Sequence, residues 1–151
     1  MKIVPLEEER HHANIVHSWI KNEWGDLDIL NYFEHLIENK EYRNQLPRSL
    51  VAISSKGEAM GTISILLDDM DMKSNLNPWL GCLFVAKKFR KKSVARALLS
   101  SCEVMASELN IKIIYLFTSK IEHLAYQSGW IKIENVYFEN ETVTVMSKKL
   151  G

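Results

Sequence analysis

The sequence predicts an α/β (α+β) fold: a single mixed, mostly antiparallel sheet with a central parallel βαβ unit. Short apolar segments of strand-like composition recur along the chain and alternate with segments of helical period. Two nearly continuous apolar runs, at 79–85 and 112–117, flank a long helical segment, and strand–helix–strand order makes such strands parallel. No repeat, low-complexity tract or Gly/Ser linker divides the 151 residues, so we expect one domain over 1–151.

The first part of the chain predicts one strand and two helices. Residues 2–6 form a short strand candidate, and residues 7–24 have helical character that ends at Gly25. Asp28 is a candidate N-cap for a second helix. The apolar side chains expected to face the core are Val16, Trp19 and Ile20 in the first helix and Leu30, Phe33 and Ile37 in the second.

The middle of the chain predicts three strands. Residues 49–55 and 59–69 are strand-like, and a turn at 56–58 joins them. A polar loop follows. The apolar run 79–85 then has the composition of a strand that is covered on both faces.

A long helix, a strand and a hairpin complete the chain. From Ser93 the apolar residues recur at helical spacing, and Asn110 is a plausible C-cap. The strand 112–117 and a short helix near 121–127 come next. The last two strands, 130–138 and 142–150, turn at 139–141. The stripe of the long helix consists of Val94, Leu98, Cys102, Met105 and Leu109.

The composition is that of a soluble globular protein without a global electrostatic field. Nineteen basic and nineteen acidic residues cancel, which argues against bulk attraction to nucleic acid or to a membrane surface. Cys82 and Cys102 lie in apolar surroundings without metal-ligand spacing, as expected for buried thiols in a reducing compartment. The first residues lack the apolar core of a signal peptide, so we expect a cytoplasmic location.

One segment is strongly basic. Six Lys or Arg residues fall within the ten positions from Lys87 to Arg96, and no Asp or Glu occurs from Met72 through Cys102. These cations lie between an apolar strand and the start of a helix, whose free backbone N–H groups and dipole favour an anion. The segment therefore predicts a site for a polyanion such as a pyrophosphate. A solvated basic loop is the alternative.

The spacing of this segment resembles the coenzyme A pyrophosphate loop of the GNAT acetyltransferases. That loop reads Gln or Arg, two variable residues, Gly, one variable residue, then Gly or Ala. Arg90 and Ala95 match this pattern, and Ser93 replaces the middle Gly. The resemblance covers nearly the whole chain through the order of its elements, and the segment 123–130 is similar to the family's late helix that ends in Gly and an aromatic residue.

The resemblance implies acetyl-CoA as cosubstrate and direct transfer of its acetyl group to a primary amine of a small molecule or peptide. Backbone groups of the strand would pair with the pantetheine arm, and amides of the loop would hold the pyrophosphate. Lys87 and Lys88 would lie near the 3′-phosphate. The implied cofactor-binding residues are Leu83, Phe84, Val85, Arg90, Lys91, Lys92, Ser93, Val94, Ala95 and Arg96.

The catalytic residues fit the family pattern less well. Many members use a Tyr four residues before the late Gly as the acid for the thiolate, but that position is Ala125 here, and Tyr126 is displaced by about 100° around the helix. Tyr126 is either that acid or a packing residue.

Family members often use a Glu on the fourth strand as the base, but the strand 79–85 carries no carboxylate. Asp68, Asp69 and Asp71 lie just before it and either take the proton through water, attract a cationic acceptor, or form a solvated turn; Asp69 is our candidate base.

Three further expectations concern the acceptor, metals and partners. In this fold the acceptor pocket lies between the first two helices and the last hairpin. No histidine spacing matches a zinc motif, so we expect no metal. The sequence does not choose between a monomer and a homodimer. The candidate residues for the acceptor wall are Trp19, Glu23, Trp24, Asp26 and Tyr32.

Two other classes of function compete with the enzyme. One is a non-catalytic acyl-CoA-binding module with the same fold, for which Ser93 and Ala125 are the arguments. The other is a basic protein-interaction domain without a cofactor.

Overall fold

The protein is described here from a computed structural model, for residues 1–69, 73, 75–90 and 93–151. Within these ranges, seven strands form one sheet in the order β1-β2-β3-β4-β5-β7-β6. Neighbouring strands are antiparallel except for β4 and β5, which are parallel. The predicted mixed sheet is confirmed. The strands are β1 (Lys2–Pro5), β2 (Arg48–Ile53), β3 (Ala59–Leu66), β4 (Trp79–Val85), β5 (Ile113–Thr118), β6 (Ile131–Phe138) and β7 (Glu141–Lys149).

Helices cover both faces of the sheet. On one face, α1 and α2 pack with Val51, Trp79 and Val145, and on the other, α3 and α4 pack with Ile63, Leu80 and Met146. Because the sheet is buried on both sides, β2, β3 and the first half of β4 need apolar residues on both faces. The helices are α1 (Ala13–Trp24), α2 (Ile29–Ile37), α3 (Val94–Glu108) and α4 (Glu122–Gln127).

The first two helices differ in detail from their predicted forms. The segment before Ala13 forms two 3-10 turns, Leu6–Glu8 and Arg10–His12, because Glu9 adopts a non-helical conformation between them. In α2 the predicted stripe is wrong at Ile37, which is 36% exposed. Tyr32 is only 1% exposed, so it belongs to the core instead.

The long helix α3 begins and ends at left-handed residues. Ser93 precedes it with φ of 63° and ψ of 17°. Asn110 follows it with φ of 64°, and the N–H of Ile111 donates to the carbonyl of Ala106 at 3.0 Å. The C-cap predicted at Asn110 is wrong by one residue: the C-cap is Leu109, and Asn110 is the left-handed residue that follows it.

Two features of β4 open the sheet at its centre. The register between β4 and β5 consists of one pair, Trp79 with Tyr115. Between β3 and β4, Thr62 pairs with Phe84 and Ser64 pairs with Gly81, so β4 has one more residue than β3 between these pairs. Cys82, in this bulge, has φ of 52°. Such a bulge bends a strand and redirects its side chains. Beyond Trp79, therefore, β4 and β5 diverge.

No helix in the described ranges has the length and apolar character needed to span a bilayer.

Candidate active site

A cleft of about 320 Å³ lies between the diverging strands β4 and β5. Four consecutive residues of β4, from Leu80 to Leu83, line one side, and Leu116 to Thr118 of β5 line the other. Leu80 and Leu83 pack on the α3 side of the sheet and Cys82 on the α1–α2 side, so these residues border the gap between the two strands rather than one face of the sheet. This is the edge of the parallel pair where open α/β sheets commonly bind ligands.

Asp69 brings a carboxyl group into this cleft from the segment after β3. Its Oδ2 atom lies 2.6 Å from the position that a Cβ on Gly81 would occupy, so the carboxylate rests directly on the β4 backbone. Burial, together with the negative charge of Glu139, raises the pKa of Asp69 to about 7. At neutral pH this group can therefore both accept and release a proton. Asp71 lies outside the residues that the structure describes.

The cleft has both acidic and apolar lining residues. Glu139 reaches it from the turn between β6 and β7, and Glu141 from the start of β7. Trp24 and Leu27, from the end of α1 and the segment after it, also line it and are 42% and 37% exposed. Phe138 packs edge-on against Phe117 at 5.2 Å between ring centroids. The cleft can thus receive a cationic group attached to an apolar one.

A candidate anion site lies where β4 leads into α3. Residues Lys87–Phe89 form a 3-10 turn that is anchored by buried Phe89, and the chain then reaches Ser93 and the first turn of α3. This first turn carries no acidic residue, and the Ser93 side chain makes no capping hydrogen bond. The leading N–H groups of a 15-residue helix are available to an anion there.

Several cations of the basic segment bind protein groups in this structure. Arg90 donates from Nε to the carbonyl of Val85 at 2.8 Å, and its guanidinium lies 5.6 Å from the centroid of the Phe84 ring. Lys88, expected near a 3′-phosphate, pairs with Glu58 of the β2–β3 turn at 3.0 Å. Arg96 donates from Nη2 to Gln127 Oε1 at 3.2 Å, which links α3 to α4.

The remaining cofactor candidates occupy different environments. Leu83 lines the cleft, whereas Phe84 packs against Trp19 at 5.3 Å between centroids. Val94 is buried under the start of α3, and Ala95 is half-buried beside it. Lys91 and Lys92 lie outside the described residues. Of the strand candidates Leu83, Phe84 and Val85, Leu83 is thus the one in the described lining of the cleft.

Tyr126 lies on the exposed side of α4, with 69% of its surface accessible. It does not belong to the described lining of the cleft, and the neighbouring Ala125 fills the buried position of that helix. In the family pattern the Tyr stands at the position of Ala125, which is buried here, whereas Tyr126, one residue later, is exposed. The role of Tyr126 as an acid stays a prediction.

Cys82 is the thiol that lines the cleft, and Cys102 is buried beneath α3. Both are free, and burial raises the pKa of each thiol, so each is protonated at neutral pH. The described part of the chain contains no group of three or more His, Cys, Asp or Glu side chains suited to a metal ion.

Of the residues predicted for the acceptor wall, Trp24 lines the cleft. Tyr32 does not, because it shares the buried face of α2 with Phe33 and Leu36. The sequence reasoning missed Glu139 and Glu141. Both belong to the predicted turn 139–141. The pairing of the last hairpin with β5 would have identified them, because it brings this turn to the cleft.

A second depression, of about 420 Å³, lies at the opposite edge of the sheet. Its charged side chains are already paired with one another: Glu9 contacts Lys2 at 3.2 Å and His11 at 3.5 Å. We therefore place the chemistry in the cleft between β4 and β5.

Comparisons with known proteins agree with this architecture. No curated protein sequence matches the chain significantly. A dodecameric spermidine N-acetyltransferase from Vibrio cholerae superimposes with a TM-score of 0.72 at 16% identity, covering 99% of this chain and 93% of that one. A point mutant of the same enzyme, SpeG, gives 0.71 at 16% identity, with 99% and 95% covered.

An aminoglycoside 6′-N-acetyltransferase complexed with coenzyme A superimposes with a TM-score of 0.73 at 14% identity, covering 99% of this chain and 97% of that one. At such identities these likenesses establish the fold. The sequence itself matches the profile of the acetyltransferase (GNAT) family over residues 13–127, which is more than half of the chain. The protein thus belongs to the GNAT acetyltransferase family and is an acetyl-CoA-dependent N-acetyltransferase.

Proposed function

We propose that this enzyme acetylates a primary amine that carries an apolar group, and that Asp69 accepts the proton from its ammonium form. The observation that carries the proposal is a carboxyl group with a pKa of about 7 inside the cleft where the parallel strands diverge. The rest of the lining supports it. Glu139 and Glu141 attract a cation, and Trp24 and Leu27 offer an apolar surface.

The cosubstrate side of the proposal uses β4 and the start of α3. The pantetheine arm of acetyl-CoA would lie along β4 next to Leu83, and the pyrophosphate would lie at the amides from Arg90 to Ala95. Acetyl-CoA supplies the activated acetyl group as a thioester. The carbonyl of Val85 accepts from the Arg90 guanidinium and has a second lone pair for a pantetheine amide. Movement of Arg90 away from this oxygen would let it contact a phosphate.

The chemistry requires a neutral amine nitrogen to attack the thioester carbonyl. Asp69 in its carboxylate form removes one proton from the ammonium, a C–N bond forms, and the C–S bond breaks to release a thiolate. The acetylated nitrogen then loses its second proton to solvent, and the neutral amide is left. A thiol has a pKa of about 8.5, so the thiolate can leave without an acid and take a proton from solvent. Proximity and orientation in the cleft provide most of the rate, and proton transfer adds about 10²–10⁴-fold.

Release of free thiol from acetyl-CoA tests the proposal across a panel of amines. We expect turnover with arylalkylamines or with amines at the end of an apolar chain, and little with amines that also carry carboxylates, which Glu139 and Glu141 repel. Asp69→Asn should lower kcat by about 10²-fold or more and leave acetyl-CoA binding intact. Binding of acetyl-CoA without turnover on any amine, peptides included, would favour the non-catalytic module.

The cofactor site has its own test. Arg90→Glu should abolish binding of acetyl-CoA in a calorimetric titration, because it reverses a charge beside the pyrophosphate. Arg43→Glu is the matched control, since Arg43 is an exposed side chain that contacts Glu41 away from the cleft. Equal affinities in the two variants would mean that the pyrophosphate binds elsewhere.

Location and assembly complete the proposal. Two free, buried thiols suit a reducing compartment, and we take the cytoplasm as the site of action. A homodimer stays a prediction, which light scattering of the purified chain would test.

A further inference from the structure

We infer that Gly81 is a positioning residue for Asp69: the space left by its missing side chain is the seat that holds the carboxylate in the cleft. The inference rests on the proposed function, because it matters for catalysis only if Asp69 takes the proton.

The geometry at Gly81 leaves no room for a larger residue. A Cβ built there would lie 2.6 Å from Asp69 Oδ2 and 3.3 Å from Asp69 Cγ. It would also lie 3.0 Å from Cδ1 of Leu66. Contacts below 3.0 Å are essentially never seen for a real Cβ, so an alanine at this position has to push the carboxylate away.

Backbone conformation is not the reason for glycine here. The glycines with positive φ in the described chain are Gly25, Gly57 and Gly129, so the backbone of Gly81 is one that alanine can adopt. The requirement at this position is therefore space rather than conformational freedom.

The neighbouring bulge explains why a β4 residue meets a side chain from the end of β3. Gly81 pairs with Ser64, and the extra residue at Cys82 turns the strand so that both Gly81 and Cys82 face the cleft. A regular strand would direct one of these two residues to the opposite face. The bulge and the glycine together thus allow the carboxylate to approach the strand.

Burial and the negative charge of Glu139 are the influences around the seat that act on Asp69 itself. Glu139 faces Asp69 from the β6–β7 turn, and the thiol of Cys82 adjoins it on β4. Glu141 and Lys120 line the same cleft. In the seat, the carboxylate lies against the strand and is largely desolvated. Displacement towards solvent would return its pKa towards the ordinary value of about 4 for Asp.

The experiment compares Gly81→Ala with Asp69→Asn and with the double variant, by kcat, by the KM for acetyl-CoA and by the pH profile of kcat. We expect Gly81→Ala to lower kcat by about 10–10²-fold with the KM for acetyl-CoA little changed. The midpoint of the acidic limb should lie at lower pH in Gly81→Ala than in the parent enzyme. The double variant should match Asp69→Asn, because the seat has no role without the carboxylate.

Gly61→Ala is the matched control, since its Cβ would lie 2.7 Å from the carbonyl oxygen of Phe84 and 3.2 Å from Leu98, on the α3 side of the sheet. It should lower Tm without moving the acidic limb. If Gly81→Ala does not fold, Asp69→Glu provides the same test from the loop, because its longer side chain cannot occupy the seat. It too should lower kcat and move the acidic limb to lower pH.

Two outcomes contradict different parts of the reasoning. If Asp69→Asn keeps the parent kcat, the proposed function fails and the inference fails with it. If Asp69→Asn is impaired, but Gly81→Ala or Asp69→Glu keeps the parent kcat and pH midpoint, Asp69 is the base and the inference about Gly81 is wrong.

Discussion

Replacement of Ser93 by glycine should both stabilise the protein and strengthen the binding of acetyl-CoA. Ser93 has φ of 63° and ψ of 17°, in the left-handed region, directly before α3. Residues with a Cβ are strained there, and the Ser93 side chain makes no capping hydrogen bond that would offset the strain. This is also the position where the GNAT pattern has its middle glycine.

The magnitude follows from two opposing terms. Relief of the left-handed strain contributes about 1 kcal/mol, and the greater freedom of glycine in the unfolded chain cancels about 0.5 kcal/mol of it. The free energy of unfolding should therefore rise by about 0.5 kcal/mol. For a chain of this size that corresponds to a rise in Tm of about 1–2 °C. Affinity should rise as well, because a phosphate can approach the backbone more closely without the Cβ.

Thermal denaturation and calorimetric titration with coenzyme A measure the two effects. Ser100→Gly is the matched control, because Ser100 is exposed inside α3, where the backbone is right-handed. There, glycine should lower the free energy of unfolding by about 0.5 kcal/mol. The reasoning is refuted if Ser93→Gly lowers Tm as Ser100→Gly does, or if it weakens the binding of coenzyme A.

Three further predictions concern Tyr126, Asp69 and Lys148. Tyr126→Phe should leave kcat within about twofold, because its exposed side chain lies outside the described lining of the cleft; a loss of about 10²-fold would restore it as the acid. The raised pKa of Asp69 means that the folded protein binds more protons than the unfolded chain between about pH 4 and pH 7, so its contribution to stability is lost as the pH rises through this window. In Asp69→Asn, the free energy of unfolding should fall less between about pH 4 and pH 7 than in the parent, as measured by chemical denaturation at a series of pH values. An equal fall in both proteins would contradict the burial of the carboxyl group. Lys148 donates to Glu103 at 2.5 Å and to the carbonyl of Ser128 at 2.6 Å, so Lys148→Met should lower the free energy of unfolding by about 2 kcal/mol. Adding Glu103→Gln should recover part of this loss, because it removes the unpaired charge and keeps an acceptor for the indole N–H of Trp130, which donates to Glu103 at 3.1 Å. A double variant less stable than the single one would show that the unpaired charge is not the cause.

Local patterns in the sequence were sufficient to predict the elements that make up the sheet. The two apolar runs identified β4 and β5 because strands covered on both faces need apolar residues at every position. The change to helical period after Ser93 identified α3, and Asn110 marked its end to within one residue. Each of these patterns involves residues that are close together in the sequence.

The parts of the site that the sequence did not predict depend on residues brought together by the fold. The contact between Asp69 and Gly81 requires the bulge at Cys82, which no local pattern indicates. The hydrogen bond from Arg90 to Val85 turns a cation expected at a phosphate towards the strand. Glu139 reaches the cleft because β7 pairs with β5, a neighbour that is distant in sequence. Spacing along the chain carries little information about such distant pairs.

The single residue pair that joins β4 to β5 has a mechanical consequence. Each half of the sheet is a hydrogen-bonded block. Across this seam, the N–H of Tyr115 donates to the carbonyl of Pro78 at 3.2 Å, and Trp79 packs on Tyr115 and Phe117. A pantetheine that forms amide hydrogen bonds along the seam would complete the protein's own secondary structure for the duration of one turnover. Coenzyme A would have to break these hydrogen bonds in order to leave. Stronger binding between the two halves of the sheet would therefore slow product release.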